Sequence, residues 1–389
     1  MPTASAASPT AIPQQTVVGD PTRDPTRAVL PYLAAGALAG VVTLVANRDR
    51  VLSHGAAGWS DLATRQAMAP DALFWIASMT KPMTGALLAL LADEGRLSLD
   101  DAVEKHLPEF AGQELAIVDG ERTVLSKPSR AITVRDCLAH VSGLPFASRP
   151  EAGKIDVLTL REAALSYALT PLTAEPGTRY TYSNAGINTA ARVAEVVTGE
   201  RYADLMAERL LNPLGMRDTT FVPDAAQAAR LAKTYKGEKS EPGAAVPPLV
   251  EIPTPQLSQP LTDRHRQGSP AGGYLSTAAD VGRFGRMVLA GGVFNGRRLM
   301  SEEAVRTMTT SQTGLADKSY GLGWSIDATG FNHGGAIATD LRIDTANGLV
   351  LVYLVQQAGY VGPDGAAILP AFRTAAAQAW TDSAWDAEA

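Results

Sequence analysis

Strand-like segments lie near both ends of this chain and helix-like segments fill its middle. No other feature constrains the fold as strongly. Near the N-terminal end, Ala28–Ala46 is a nearly unbroken apolar run. Its length could span a bilayer, but its internal punctuation argues otherwise. Pro31 fits an early helical turn, Gly36 a helix stop, and Gly40 a break before a β-branched stretch. A polar turn at 47–50 and a second apolar stretch from Val51 follow, so the region reads as a helix and then a strand hairpin. Near the other end, residues 321–326, Ala338–Asp344 and Leu349–Gln356 read as successive antiparallel strands, and 366–380 as a final helix.

Between these ends, Thr80–Glu94, Thr133–His140, Leu158–Ala168, Asn188–Thr198, Tyr202–Leu211 and Thr277–Ala290 carry helical periodicity. In Thr80–Glu94 the stripe is Leu87, Leu88, Leu90 and Leu91, and Gly95 follows as a stop. Short strand-like pieces lie within 114–134. The expected fold is therefore α+β: a mainly antiparallel sheet flanked by helices, built from both chain ends, with a helical region inserted. The sheet region takes 26–100 and 270–389, and the mainly helical region 101–269. Residues 1–25, rich in Ala, Pro, Thr and Ser, read as a disordered lead-in without the basic and apolar regions of a signal peptide. Residues 236–263 hold six prolines and read as a long irregular loop.

Composition narrows the function. The net charge is −6, and acidic and basic residues are interspersed. No basic block is present to neutralise phosphates, which excludes nucleic acid as the natural partner. The same mixing speaks against an anionic membrane surface. The single cysteine, Cys137, sits in a helical pattern and reads as an inert core thiol. The five histidines (His54, His106, His140, His265, His333) form no close pair, so no metal site is indicated. No phosphate-binding glycine motif is present, so no cofactor has support. No G-x-S-x-G elbow occurs either.

Three short motifs carry the chemistry. Ser78, Met79, Thr80 and Lys81 form the chain's only S-x-x-K. Pro82 lacks an N–H and fits the first turn of a helix. Ser78 then lies at a helix start, where free N–H groups favour developing negative charge. Lys81 falls one turn on, on the same face. A serine hydroxyl needs such a neighbouring base to become a nucleophile. Tyr182 and Asn184 form the only Y-x-N, at a junction between a turn-rich strand and a helix. A phenol there can face a cleft, with a pKa lowered by an adjacent ammonium. His333, Gly334 and Gly335 enter a strand-like run, and two glycines at a strand edge let a ligand approach the backbone.

In this order, the three motifs resemble the serine β-lactamase-like superfamily, in its class C β-lactamase and family VIII carboxylesterase branch. The resemblance covers about residues 26–380. Segments 73–81, 91–101, 138–145, 182–186, 210–219, 271–284 and 320–324 support it. It implies a β-lactamase/transpeptidase-like fold with the site between the sheet and the helical region. It implies that Ser78 is acylated, that Lys81 and Tyr182 share base and acid duty, and that Asn184 holds Lys81 and substrate. It also implies that the backbone N–H groups of Ser78 and Ala336 form an oxyanion hole. The departure is His333, where β-lactamases and DD-peptidases usually carry a lysine that helps to bind a substrate carboxylate. A mostly neutral imidazole weakens that anchor. The expected activity is hydrolysis of small carboxylic esters. The alternatives are β-lactamase, D-amino-acid peptidase or amidase, acyltransferase, and a slowly acylated receptor.

Overall fold

A computed structural model describes residues 12–237, 246–359 and 365–381 of the chain. Seven strands form the backbone of its main sheet. They are β1 (Gln14–Val18), β2 (Gly40–Ala46), β3 (Val51–Asp61), β4 (Ser325–Asp327), β5 (Gly330–Gly334), β6 (Asp340–Asp344) and β7 (Leu349–Leu354). Their spatial order is β1-β3-β2-β7-β6-β5-β4, with a two-residue strand at Gln66–Ala67 completing the sheet against β3. Every pairing is antiparallel. The two chain ends meet where β2 pairs with β7, Val352 opposite Leu44. Both strands are buried along their whole length, which is why each reads as a continuous apolar run and not as an alternating one.

Four helices matter for the site. Helix α1 is Thr80–Asp93, α2 is Asn184–Thr198, α3 is Ala278–Leu289 and α4 is Ile368–Thr381. Helix α3 covers one face of the sheet, against β2, β6 and β7. Helix α4 covers the other, packing Phe372 near Tyr353 and joining the turn at Pro25–Val29. Helix α1 lies at the centre. Residues Thr80 to Leu91 are all buried, so the four leucines are not one stripe but part of a helix enclosed on every side. Pro82 is its third residue, inside the first turn, where no N–H partner is needed. One continuous core runs from Val42, Leu44 and Val352 of the sheet to Tyr167, Val193 and Leu205 of the helical region.

The inserted region holds Val134–Leu138, Leu160–Ala168, α2 and a run from Tyr202 to Leu214 with one π turn at 207–211. The strand-like pieces within 114–134 are the hairpin Leu115–Asp119 and Arg122–Ser126. Cys137 is fully buried there, and burial pushes its thiol pKa up, as an inert core thiol requires.

Three expectations need correction. Residues 12–25 are not a disordered lead-in. Gln14 to Thr16 pair with Ala57 to Gly55 at the sheet edge, and two short turns capped by Asp20 and Asp24 follow. Residues 1–11 lie outside the described part. The proline-rich stretch 236–263 is not wholly irregular, since Val250–Ile252 pairs with Thr234–Lys236; positions 238–245 lie outside the described part. Finally, 321–324 is not strand. Gly323 adopts φ +82°, and a Cβ on it would stand 2.4 Å from the Lys81 carbonyl oxygen. The segment turns there so that it can press against the start of α1.

Among the described residues, no helix is long and apolar enough to cross a membrane.

Candidate active site

Ser78 is presented by a tight local structure. The short strand Phe74–Trp75 pairs with Leu275–Ser276, and a 3-10 turn at Ala77–Met79 leads into α1. Ala77 has φ +46°, an unfavourable conformation for a residue with a side chain. Such strain costs on the order of 1–3 kcal/mol and persists only where surrounding contacts hold it. Here Thr80 Oγ1 donates to the Ala77 carbonyl at 2.7 Å.

Lys81 is fully buried one turn later. Its Nζ lies 3.1 Å from Ser78 Oγ, 2.8 Å from Asn184 Oδ1 and 2.6 Å from the Ala271 carbonyl oxygen. The carbonyl and the amide oxygen can only accept, so each takes one N–H. The remaining direction faces Ser78 Oγ. Burial pulls the ammonium pKa well below the ordinary lysine range. A neutral amine held this way aims its lone pair at the Ser78 hydroxyl.

Tyr182 and Asn184 flank the start of α2, which Ser183 caps by accepting the Gly186 N–H at 2.9 Å. The Lys81 Nζ stands over the Tyr182 ring, 4.7 Å from its centre. The sequence pattern suggested a lowered phenol pKa, but burial raises it. A hydrogen bond with Ser78 only partly offsets that. Tyr182 is therefore a phenol and not a standing phenolate.

His333 is the penultimate residue of β5 and is buried. Its Nδ1 is 2.7 Å from the Gly334 carbonyl oxygen, and its Nε2 is 3.0 Å from the Tyr320 hydroxyl and 3.5 Å from that of Tyr182. Burial, aided by the nearby Lys81, pushes its pKa down to about 3, so the ring is neutral at pH 7. Gly335 makes the turn that follows. A Cβ there would fall 2.0 Å from Thr339 Oγ1 and 2.7 Å from the Ile76 carbonyl oxygen. Thr339 Oγ1 in turn donates to Ile76, which ties this turn to the segment just before Ser78. Gly334 has no such crowding; it leaves the cavity wall bare.

Ser78, Tyr182, Asn184, His333, Gly334 and Ala336 all line one cavity of about 370 Å3. Lys81 and Gly335 stand directly behind it. The fold thus gathers every residue singled out in the sequence. Four further walls were not singled out in the sequence: Trp75, within the resembling segment 73–81, and Phe146, Ile155 and Gln256, which carried no signal. Trp75 is fixed by its indole N–H donating to the Gly272 carbonyl at 2.6 Å. Ala271 and Gly272 lie in segment 271–284, whose resemblance was visible but whose contact with Lys81 was not. Gln256 belongs to the proline-rich stretch. Its carbonyl accepts from the Ile155 N–H at 3.0 Å, which brings both residues to the mouth. None of the residues lining the cavity is an acid, an arginine or a lysine. Among the described residues, no group of three or more His, Cys, Asp or Glu side chains is placed to hold a metal ion.

A family model described as Beta-lactamase matches residues 26–375. The chain belongs to that family, a branch of the serine hydrolases with the β-lactamase/transpeptidase-like fold. Its sequence is similar to Esterase EstB of Burkholderia gladioli, 28% identical over 323 residues, covering 78% of this chain and 76% of that one. It is also similar to Penicillin-binding protein 4 of Amycolatopsis lactamdurans, 30% identical over 290 residues, covering 74% and 68%. Among solved structures, a family VIII carboxylesterase shares the fold with a TM-score of 0.72 at 21% identity, covering 93% of this chain and all of that one.

Proposed function

We propose that this protein is a carboxylesterase that cleaves small neutral esters through an acyl-enzyme on Ser78. In this reading Lys81 takes the Ser78 proton as the oxygen attacks the ester carbonyl carbon. The N–H groups of Ser78 and Ala336 hold the resulting oxyanion. Tyr182 gives its proton to the departing alkoxide and is reprotonated from Lys81. Water then attacks the acyl-enzyme with the proton path reversed, releasing the acid and restoring Ser78.

The observation that carries the choice of ester is the uncharged wall. A substrate carboxylate gains most from a fixed cation, and His333 is buried and neutral where a lysine would supply one. The likeness to Esterase EstB supports the same reading. The likeness to a penicillin-binding protein keeps β-lactam or peptide acylation as the rival.

The test is a rate panel. Short-chain p-nitrophenyl esters should exceed nitrocefin in kcat/KM by at least about tenfold, a difference of about 1.4 kcal/mol in transition-state binding. His333→Lys should narrow that gap by improving the anionic substrate more than the neutral one. A wild-type preference for nitrocefin would replace this reading with a β-lactamase.

A further inference from the structure

A buried chain of side chains connects the segments that carry Tyr182 and His333. The Ser183 N–H donates to His140 Nδ1 at 3.1 Å. His140 Nε2 is 3.2 Å from the Tyr320 hydroxyl, which is 3.0 Å from His333 Nε2. His333 Nδ1 is 2.7 Å from the Gly334 carbonyl oxygen.

The two ends of this chain settle every proton in it. A backbone N–H can only donate, so His140 Nδ1 must accept. A neutral imidazole then carries its proton on Nε2 and donates to Tyr320. The Gly334 carbonyl can only accept, so His333 carries its proton on Nδ1 and its Nε2 is a bare lone pair. The single Tyr320 proton must fill it. Burial disfavours a charge on either ring, so both stay neutral.

An imidazole nitrogen has one in-plane lone pair. With Tyr320 on it at 3.0 Å, the Tyr182 hydroxyl at 3.5 Å is left at the margin of hydrogen bonding. Ser78 lines the same cavity beside that hydroxyl and lowers the phenol pKa against the pull of burial. His140 also grips the backbone on both sides of Tyr182. Its carbonyl accepts the Thr181 N–H at 2.7 Å, its Nδ1 accepts that of Ser183, and its ring centre lies 4.4 Å from that of Tyr182. A left-handed backbone at His140, φ +61°, lets one residue make these contacts.

We propose that His140 and Tyr320 are positioning residues of the site: their proton-ordered chain occupies the His333 Nε2 lone pair, so that the Tyr182 hydroxyl is left to Ser78. The proposal deepens the reading of Tyr182 as proton carrier and rests on it. It does not require that the natural substrate be an ester.

Two measurements on the full chain test it. The first is 15N NMR of histidine-labelled protein at pH 7, with assignments from His140→Asn and His333→Asn. Asparagine is chosen at 140 because it tolerates the left-handed conformation. His140 should carry its proton on Nε2 and His333 on Nδ1. A proton on His333 Nε2 overturns the proposal. The second is the rate of Ser78 labelling by a p-nitrophenyl phosphonate, measured with and without Tyr182. Tyr320→Phe keeps the ring and removes the hydroxyl. It should slow labelling roughly tenfold in the wild-type background and have no effect in a Tyr182→Phe background. An equal loss in both backgrounds marks a merely structural role, and no loss in either marks none; each overturns the proposal. Since a phosphonate labels esterases and β-lactamases alike, a failure of the ester reading leaves this outcome unchanged.

Discussion

Lys81 Nζ sits 3.1 Å from Ser78 Oγ with its other two hydrogen-bonding directions already committed to Asn184 and Ala271. The amine has no freedom to turn away from the serine. This follows from their spacing of three residues at the start of α1 and from Gly323 pressing on the Lys81 backbone.

Ser78→Ala should fold normally and lose at least about a thousandfold in kcat, because among the described residues Ser78 carries the one hydroxyl hydrogen-bonded to the Lys81 amine. A serine-reactive phosphonate should mark the peptide containing Ser78. Recovery of the adduct on another peptide would show that the nucleophile lies elsewhere.

The pH profile should report Lys81. A base must be neutral to accept a proton, so kcat/KM should rise with pH and then level off. Burial lowers the Lys81 pKa, so the rise should be centred well below the free lysine value of about 10.4. Tyr182 is shifted upward and stays a phenol on the alkaline side. A rise centred near the free lysine value would rule out a desolvated amine as base.

Much of this site could be read from the chain, and the limits have physical causes. Ser78, Lys81 and Pro82 are local, and one helical turn fixes their geometry. Tyr182, Asn184 and His333 had to be joined to them by resemblance, since no local pattern encodes a meeting across 100 to 250 residues. Tyr320 and His140 lay in segments that carried the resemblance, yet their roles depend on a hydrogen-bond direction that only the assembled chain defines. Strand β1 was missed because an edge strand keeps most of its side chains in solvent and so lacks the apolar alternation that signals pairing.

Acid should destabilise the fold through buried neutral imidazoles. His333 is held at about 3 in the folded chain, against about 6.5 when unfolded. Between those values the unfolded chain binds a proton that the folded one refuses. Stability is therefore full above pH 6.5 and declines as pH falls through that window, by about 2 kcal/mol at pH 5 from this ring alone. His54 and His140, also lowered by burial, act in the same direction. Denaturant titrations at pH 7 and 5 should show a smaller difference in His333→Asn than in wild type. Equal differences would contradict the assignment.

The mouth of the cavity depends on an ion pair buried beneath it. Arg266 Nε meets Asp156 Oδ2 at 2.7 Å, with side chains only 3% and 0% exposed. Asp156 also accepts from Ser258, and Arg266 donates to the Phe221 and Leu261 carbonyls. This knot holds Ile155 and Gln256 in place. Asp156→Asn should leave a buried guanidinium poorly compensated and cost about 3–5 kcal/mol. KM for a p-nitrophenyl ester should rise more than kcat falls. A thermal melt identical to wild type would show that the pair does not hold the loop.

The join between β2 and β7 has a consequence for synthesis. Its partners are roughly 300 residues apart, so closure of the sheet is a contact of very long range, the slowest kind to form. A ribosome that has delivered β2 and its hairpin partner β3 must add roughly 300 more residues before β2 meets β7 on its other edge. Until then its open, mostly apolar edge is a target for aggregation or a chaperone. His333 and its turn also arrive late, shortly before β7. The nascent chain therefore carries Ser78 and Lys81 long before it holds the residues that complete the cavity around them.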